Sequence, residues 1–190
     1  MIDYQSILNA IYNNVVQDED KGQIANYIPE LANVNKDSFG IHLQLISGGA
    51  YSVGDSEKKF SIQSISKVLS LALAISKVGT DIWNRLDVEP SGNPFNHLSL
   101  LELEKGIPRN PFINSGAIVI ADILVSLLEN PKTDFLEYVR DITGDANIDY
   151  NYKVALSEKQ TGFNNYAAAN LLKSFNNLNN HVDDVLDFYF

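Results

Sequence analysis

The chain has 190 residues, 45% of them hydrophobic, and a formal net charge of −10, which fits a globular domain and argues against disorder. Its excess of negative charge repels phosphate backbones and anionic lipid surfaces, so we expect neither nucleic acid nor a membrane as a partner. The sequence contains no cysteine, which excludes disulfides, thiolate catalysis and cysteine-ligated metal centres.

The first third of the chain predicts a helix followed by a β-hairpin. It lacks the basic and apolar start of a secretion signal, and apolar residues at helical spacing over 7–15 predict an amphipathic helix. A short helical turn is expected at 22–29. Alternating apolar and polar residues predict a strand over 39–45, then a two-glycine turn and a second strand over 50–53. The segment 59–62 is expected to continue as extended chain.

The rest of the sequence predicts helices joined by polar loops. A mostly apolar pattern predicts a long helix over 64–78 that ends at Gly79. The stretches 89–96 and 106–110 contain proline or glycine and predict loops. Further helices are predicted at 98–104, 112–128, 132–142, 150–159, 164–175 and from 182 onward. The longest apolar stretch, 117–128, is shorter than the ~20 residues that span a bilayer, so we expect a soluble cytoplasmic protein.

Few strands are predicted for so many helices. An isolated hairpin is only marginally stable, and the sequence closes on the apolar run 185–190, where a polar end is more usual. Both features predict that further strands of the same sheet lie outside these residues. We therefore expect 1–190 to be a single domain that lacks its carboxyl-terminal part.

Ser64 and Lys67 lie one helical turn apart, at the point where the long apolar helix begins. Side chains at this spacing share one face of a helix, with Cβ atoms ~5–6 Å apart. A lysine in that position can take the proton of the serine hydroxyl, which can then attack an amide or a lactam. Keeping Lys67 half neutral at pH 7 costs about 4.6 kcal/mol. Burial and the positive end of the helix dipole would both lower the pKa of Lys67 and so favour its neutral form. The backbone N–H of Ser64 would face a developing oxyanion.

The spacing of this serine and lysine does not by itself decide between catalysis and a structural role. The same spacing occurs at Ser56 and Lys59, in a polar turn where we interpret both side chains as solvated surface. For Ser64 and Lys67 the structural alternative is a helix N-cap followed by a lysine whose stem packs on apolar surface.

Other polar residues have equally ordinary explanations. Asn114 and Asn165 begin predicted helices and could cap them, and Glu158 could be a solvated helix charge. Tyr27 and Tyr189 could contribute only to packing. The three histidines are scattered without the spacing of metal ligands, so we expect no metal site.

Several sequence motifs occur in register over 22–190. They are Tyr27-Ile28-Pro29-Glu30-Leu31-Ala32, the run from Phe60 to Val68, the run from Arg109 to Ile118, Ser157-Glu158 with Asn165-Tyr166, and Asp187-Phe188-Tyr189-Phe190. Together these motifs resemble the bacterial-type glutaminase family, the serine-dependent glutamine amidohydrolases. That family has a serine β-lactamase-like α/β (α+β) fold. The resemblance therefore implies mostly the helical region of such a fold, plus the amino-terminal hairpin of its sheet.

The resemblance also implies roles for individual residues. Ser64 would be the nucleophile, Lys67 its general base, and Tyr189 a residue that passes a proton to the leaving amine. L-Glutamine would be hydrolysed to L-glutamate and ammonia through a glutamyl-serine intermediate, with no cofactor or metal, by a homo-oligomer. The implied substrate-binding residues are Tyr27, Gln63, Ser64, Asn114, Glu158, Asn165 and Tyr189. Glu158 suits the α-ammonium of the substrate, while Asn114 and Asn165 can donate to its α-carboxylate.

The family continues beyond the segment that matches 187–190, with further strands, another pocket tyrosine and a second oxyanion donor. Loss of one such donor costs about 10²–10³ in rate, so we expect these 190 residues alone to be poorly active. One alternative is a β-lactamase or penicillin-binding enzyme, whose Ser-Asp-Asn and Lys-Thr-Gly companions are absent here. Another is a ligand-binding module without catalysis.

Overall fold

The computed structural model describes residues 2–20 and 22–190. Contacts divide the chain into an amino-terminal unit that ends at Ser61 and a carboxyl-terminal unit that begins at Ile62. The amino-terminal unit combines a helix with a two-stranded sheet, and the carboxyl-terminal unit is helical. That 1–190 form one domain stays a prediction.

The amino-terminal unit confirms the predicted helix and hairpin. Its helix α1 (Tyr4–Gln17) begins after Asp3, whose carboxylate accepts a hydrogen bond from the backbone of the first turn. Strands β1 (Gly40–Gln44) and β2 (Ala50–Gly54) pair antiparallel, and α1 packs against both strands. The ring of Tyr12 on α1 stacks on Phe39, with 5.4 Å between the centroids. These contacts cover one side of a hairpin that would be unstable alone.

The carboxyl-terminal unit contains the long helices that the hydrophobic pattern predicts, with ends shifted by a few residues. Two 3₁₀ turns, Gln63–Ile65 and Gly79–Asn84, flank the first of these helices. The helices are α2 (Ser66–Val78), α3 (Ser99–Leu103), α4 (Asn114–Leu127), α5 (Pro131–Thr143), α6 (Tyr152–Thr161), α7 (Phe163–Ser174) and α8 (Val182–Tyr189). No helix in the described ranges is long and apolar enough to cross a membrane.

Helix α4 lies at the centre of the carboxyl-terminal unit. Every residue from Ser115 to Leu124 is buried, because this helix is apolar on nearly all sides. It packs against α2, α7 and α8, which contribute Leu73, Leu172 and Leu186 to the same core. The first turn of α4 is therefore held rigidly by the helices around it, which matters because Asn114 occupies that turn.

A fully buried carboxylate lies inside this core. Asp122 is fully buried on α4 and accepts a 2.6 Å hydrogen bond from Nη2 of Arg85. It also accepts from the backbone N–H groups of Asn179 and Asn180, at 2.9 and 2.8 Å. A buried charge is tolerated only when it is paired and hydrogen-bonded, and these donors meet that requirement. Asp122 thereby fixes the polar turn between α7 and α8.

Three local predictions were wrong. The segment 22–29 forms no helical turn, because Gly22 has a φ of 66° and the residue before Pro29 disfavours helical backbone. Ile62 has helical rather than extended dihedrals, since its carbonyl accepts from the N–H of Ile65 and closes the 3₁₀ turn. For the same reason α2 begins at Ser66 and not at residue 64.

Candidate active site

Ser64 lies in the middle of the 3₁₀ turn that leads into α2, and it is exposed. The preceding residue, Gln63, has a φ of 46°, in the left-handed region that few non-glycine residues occupy. The hydroxyl of Ser66 donates to the carbonyl of Gln63 at 2.7 Å, and the N–H of Ile65 donates to that of Ile62 at 2.9 Å. Strained backbone that is held in this way clusters at functional sites. Here it presents the Ser64 side chain to solvent.

The side chain of Lys67 points into the protein and is only 6% exposed. Its ammonium donates to the carbonyl of Phe112 at 3.0 Å and to Oδ1 of Asn114 at 2.7 Å. The ring of Phe95 lies 5.1 Å from Nζ, within cation–π range. Lys67 therefore contacts Phe112, Asn114 and Phe95 and not Ser64, whose hydroxyl makes no hydrogen bond within the described chain. Catalytic hydrogen bonds are often absent before a substrate binds.

Lys67 and Glu158 influence each other's charge. Burial lowers the pKa of Lys67 from 10.5 to about 8, and the negative charge of Glu158 partly offsets that effect. Burial likewise raises the pKa of Glu158, and the positive charge of Lys67 opposes the rise. Glu158 on α6 is thus a half-buried carboxylate coupled to the lysine. Its interpretation as a solvated helix charge was wrong.

Two side-chain amides extend the polar chain from Lys67. An ammonium is only a donor, so the Asn114 atom that faces it must be the oxygen. The Nδ2 of Asn114 then donates to Oδ1 of Asn165 at 2.9 Å. Asn165 is 7% exposed, and its own Nδ2 has no acceptor among the described residues. This orientation leaves both Nδ2 hydrogens of Asn165 and the second Nδ2 hydrogen of Asn114 as amide donors for a ligand. Neither side chain caps its helix, so the capping interpretation was wrong.

The loop before α4 explains how Asn114 reaches the lysine. Oδ1 of Asn110 accepts from the backbone N–H groups of Phe112 and Ile113, at 3.0 and 3.1 Å. The N–H of Asn114 donates to the carbonyl of Phe95 at 2.8 Å. At Gly116 a Cβ would collide with the carbonyl of Asn110, so the loop can approach α4 this closely only because glycine has no side chain.

Sequence reasoning missed these supporting residues. Asn110 and Gly116 lie inside a motif that was recognised as a whole, but their separate roles depend on contacts across the loop. Phe95 lies in a loop without periodicity, where the sequence gives no signal for an aromatic ring over a lysine. The described residues contain no group of three or more His, Asp or Glu side chains arranged to hold a metal ion.

The remaining predicted site residues lie in different places. Gln63 adjoins Ser64 in the strained turn. Tyr189 ends α8, half-buried, with its ring nearly perpendicular to that of Phe190 at 5.4 Å between the centroids. Tyr27 belongs to the amino-terminal unit and is 70% exposed, so its interpretation as a packing residue was wrong. Pocket roles for Tyr27, Gln63 and Tyr189 stay predictions.

Comparison with known proteins assigns the chain to one family. The Glutaminase family model matches residues 22–190. Glutaminases of Christiangramia forsetii and Saccharophagus degradans are 54% and 52% identical over 189 residues, which cover 100% of this chain. Among solved structures, the probable glutaminase YbaS is 32% identical with a TM-score of 0.89, over 100% of this chain and 62% of its own. A probable glutaminase from Bacillus subtilis complexed with 6-diazo-5-oxo-L-norleucine is 30% identical with a TM-score of 0.80, over 100% of this chain and 58% of its own.

These likenesses confirm the predicted fold class, the helical region and amino-terminal hairpin of a serine β-lactamase-like fold. The chain spans 62% of the length of the curated relatives that it matches. The motifs that carried the resemblance, including the turn of Ser64 and the first turn of α4, lie inside the matched residues. The chain therefore belongs to the glutaminase family.

Proposed function

We propose that the protein containing this chain hydrolyses the side-chain amide of L-glutamine to L-glutamate and ammonia. The observation that carries the proposal is the exposed Ser64 one turn from a buried Lys67 whose pKa is lowered to about 8. A lysine with this pKa can act as a base near neutral pH, whereas an ordinary surface lysine cannot. Family membership narrows the acyl donor to a linear amide and leaves the β-lactamase and non-catalytic alternatives unfavoured.

The proposed reaction begins when the neutral form of Lys67 turns from Asn114 toward Ser64. Oγ of Ser64 loses its proton to Nζ of Lys67 and bonds to the amide carbon of glutamine. The carbon–nitrogen bond then breaks, and the amine takes a proton from Lys67 by way of Tyr189 and leaves as ammonia. A water molecule attacks the resulting ester, gives one proton back to the Ser64 oxygen, and releases glutamate. The backbone N–H of Ser64 stabilises the oxyanion in both steps.

Substrate recognition in this proposal uses the Glu158 carboxylate and the amide hydrogens that are not bonded within the described chain. The carboxylate of Glu158 binds the α-ammonium of glutamine, a charge-assisted hydrogen bond. The free Nδ2 of Asn165 and the second Nδ2 hydrogen of Asn114 donate to the α-carboxylate. Gln63 and Tyr189 complete the pocket in this proposal.

Substitution of Ser64 and Lys67 tests the mechanism. In the full-length gene product, Ser64→Ala and Lys67→Ala should each abolish ammonia release from glutamine while leaving the circular dichroism spectrum unchanged. Ser56→Ala is the matched control, because Ser56 and Lys59 have the same spacing in a polar turn. Glutamine turnover by Ser64→Ala at the wild-type rate would contradict the proposal.

A covalent probe gives a second readout that does not require turnover. The diazo ketone 6-diazo-5-oxo-L-norleucine should alkylate Ser64: the carbon–oxygen bond forms, nitrogen gas leaves, and the hydroxyl proton ends on the ligand carbon. Intact-mass analysis should show one adduct on the wild-type protein and on Ser56→Ala, and none on Ser64→Ala. An adduct that persists in Ser64→Ala would place the nucleophile elsewhere.

A homo-oligomer and a cytoplasmic location belong to the same proposal. The exposed apolar side chains on the outer face of α2, including Val68 and Ile75, are compatible with a covered surface in an assembly. Light scattering coupled to size-exclusion chromatography measures the mass in solution, and a monomer at all concentrations would contradict the first expectation. Fractionation of cells that produce the protein tests the second.

A further inference from the structure

One carboxylate joins three helices near the end of the chain. Oδ2 of Asp187 on α8 lies 2.6 Å from Nζ of Lys132 on α5. Its Oδ1 accepts a 2.7 Å hydrogen bond from Nζ of Lys159 on α6. Each lysine uses a different oxygen, so both contacts form at once. The two ammonium groups hold the pKa of Asp187 below its usual range, which keeps the carboxylate charged at neutral pH.

The two neighbours of Tyr189, Phe188 and Phe190, pack α8 against other helices. The ring of Phe188 meets that of Phe135 on α5 edge to face, with 5.8 Å between the centroids. The ring of Phe190 lies against Gly162 at the junction of α6 and α7, where any Cβ would overlap it. Asp187, Phe188 and Phe190 thus contact neighbouring helices. Tyr189 lies in the sequence between the two anchored phenylalanines.

Helix α6 needs such an anchor because it has little packing of its own. Only Val154 and Ser157 are buried along Tyr152–Thr161, while Leu156 is exposed. Glu158, the carboxylate coupled to Lys67, lies on this helix and is the residue directly before Lys159. A rotation of α6 that moved Glu158 would have to break the contact between Lys159 and Asp187.

We propose that Asp187 is a positioning residue that fixes Glu158 and Tyr189 in the substrate pocket by tying α6 and α5 to α8. The proposal deepens the proposed glutaminase function and relies on it for the roles of Glu158 and Tyr189. Asp187 itself touches neither substrate nor reacting atoms in this arrangement. Its side chain is 49% exposed, and exposed ion pairs add little to folding stability, so its effect should be on alignment rather than on unfolding.

The test compares Asp187→Asn with Asp184→Asn in the full-length gene product. Asp184 lies on the same helix, is exposed, and forms no ion pair within the described residues. Asp187→Asn should raise KM for glutamine roughly tenfold, with a smaller loss of kcat and an unchanged Tm, because misplaced binding groups cost more in affinity than in folding. Asp187→Glu should recover most of the wild-type KM. Lys159→Gln should reproduce more of the effect than Lys132→Gln, because only Lys159 is on α6.

Hydrogen exchange separates this proposal from the proposed function. The amides of 152–161 should exchange faster in Asp187→Asn than in Asp184→Asn, whether or not glutamine is a substrate. Unchanged exchange in Asp187→Asn would overturn the proposal. So would faster exchange with KM and kcat at wild-type values, or a lowered Tm that Asp187→Glu fails to restore. Faster exchange in a protein that does not hydrolyse glutamine would support the anchor and refute the proposed function instead.

Discussion

Oδ1 of Asn114 accepts a 2.7 Å hydrogen bond from the ammonium of Lys67. Burial favours the neutral amine of this lysine, and the negative charge of Glu158 partly offsets that effect on its pKa. The balance places the pKa at about 8, so at neutral pH most of the protein carries the ammonium form. In the proposed reaction the active base is therefore the neutral amine, which is the minor form at neutral pH. The major ammonium form is bound by Asn114, whose amide also donates to Asn165.

Glutamine hydrolysis should accordingly increase as the pH rises through about 8, because Lys67 must lose its proton to accept that of Ser64. Below that pH, kcat/KM should fall by about tenfold for each pH unit. Initial rates of ammonia release across this range give the profile, and circular dichroism at each pH excludes unfolding as the cause. A flat profile through this range would show that Lys67 is not the base.

Glu158→Gln should move this profile to lower pH. The negative charge of Glu158 raises the pKa of Lys67, so its removal leaves burial less opposed and lowers that pKa further. KM should rise at the same time, because the α-ammonium of glutamine loses its charged partner. Glu137→Gln on the exposed face of α5 is the control. A shift of the profile to higher pH would mean that Glu158 does not act on Lys67 through its charge.

Asn114→Asp should have the opposite effect on the profile. It places a carboxylate at the position that now accepts a 2.7 Å hydrogen bond from Lys67, and an opposite charge at that distance stabilises the ammonium. The rate at pH 7 should fall by about tenfold or more and recover partly at higher pH. Asn164→Asp, an exposed substitution on α7, serves as the matched control. Equal losses at all pH values would indicate a structural defect instead.

Asp122→Asn should destabilise the fold by about 3–5 kcal/mol, because it leaves Arg85 and two backbone donors facing a neutral group in the core. Urea unfolding at pH 7 measures the loss, and Asp183→Asn, exposed on α8, should change stability little. A loss no larger than that of the control would show that the buried carboxylate is not required.

The acid limb of stability should depend on the same residue. Burial alone would raise the pKa of Asp122, but the hydrogen bonds from Asn179, Asn180 and Arg85 hold it below its ordinary 3.8. A lowered folded-state pKa means that the stabilisation is present above the unfolded pKa and is lost as the pH falls through the folded value. Stability should therefore drop below about pH 4 in the wild type. The drop should be shallower in Asp122→Asn, and parallel acid limbs would contradict this assignment.

Local patterns predicted the elements well where periodicity was long. The apolar spacing over 64–78 and 112–128 gave α2 and α4, and alternation gave the hairpin, because these periods follow from the geometry of helix and strand. The failures lie at 22–29 and at Ile62, where a glycine, a proline or a single turn hydrogen bond sets the backbone. Short segments of that kind carry too few residues for a period to show.

The sequence by itself determined the family motifs, the helices and the one-turn separation of Ser64 from Lys67. Only the tertiary structure decided that Lys67 contacts Phe112, Asn114 and Phe95. The same holds for the hydrogen bond that the Asn114 amide donates to Asn165, and for the ion pairs by which Asp187 joins α5 and α6 to α8. The physical reason is that these contacts join residues far apart in the chain. Burial, which sets the pKa of Lys67 and Glu158, is likewise a property of the packed unit rather than of any local segment.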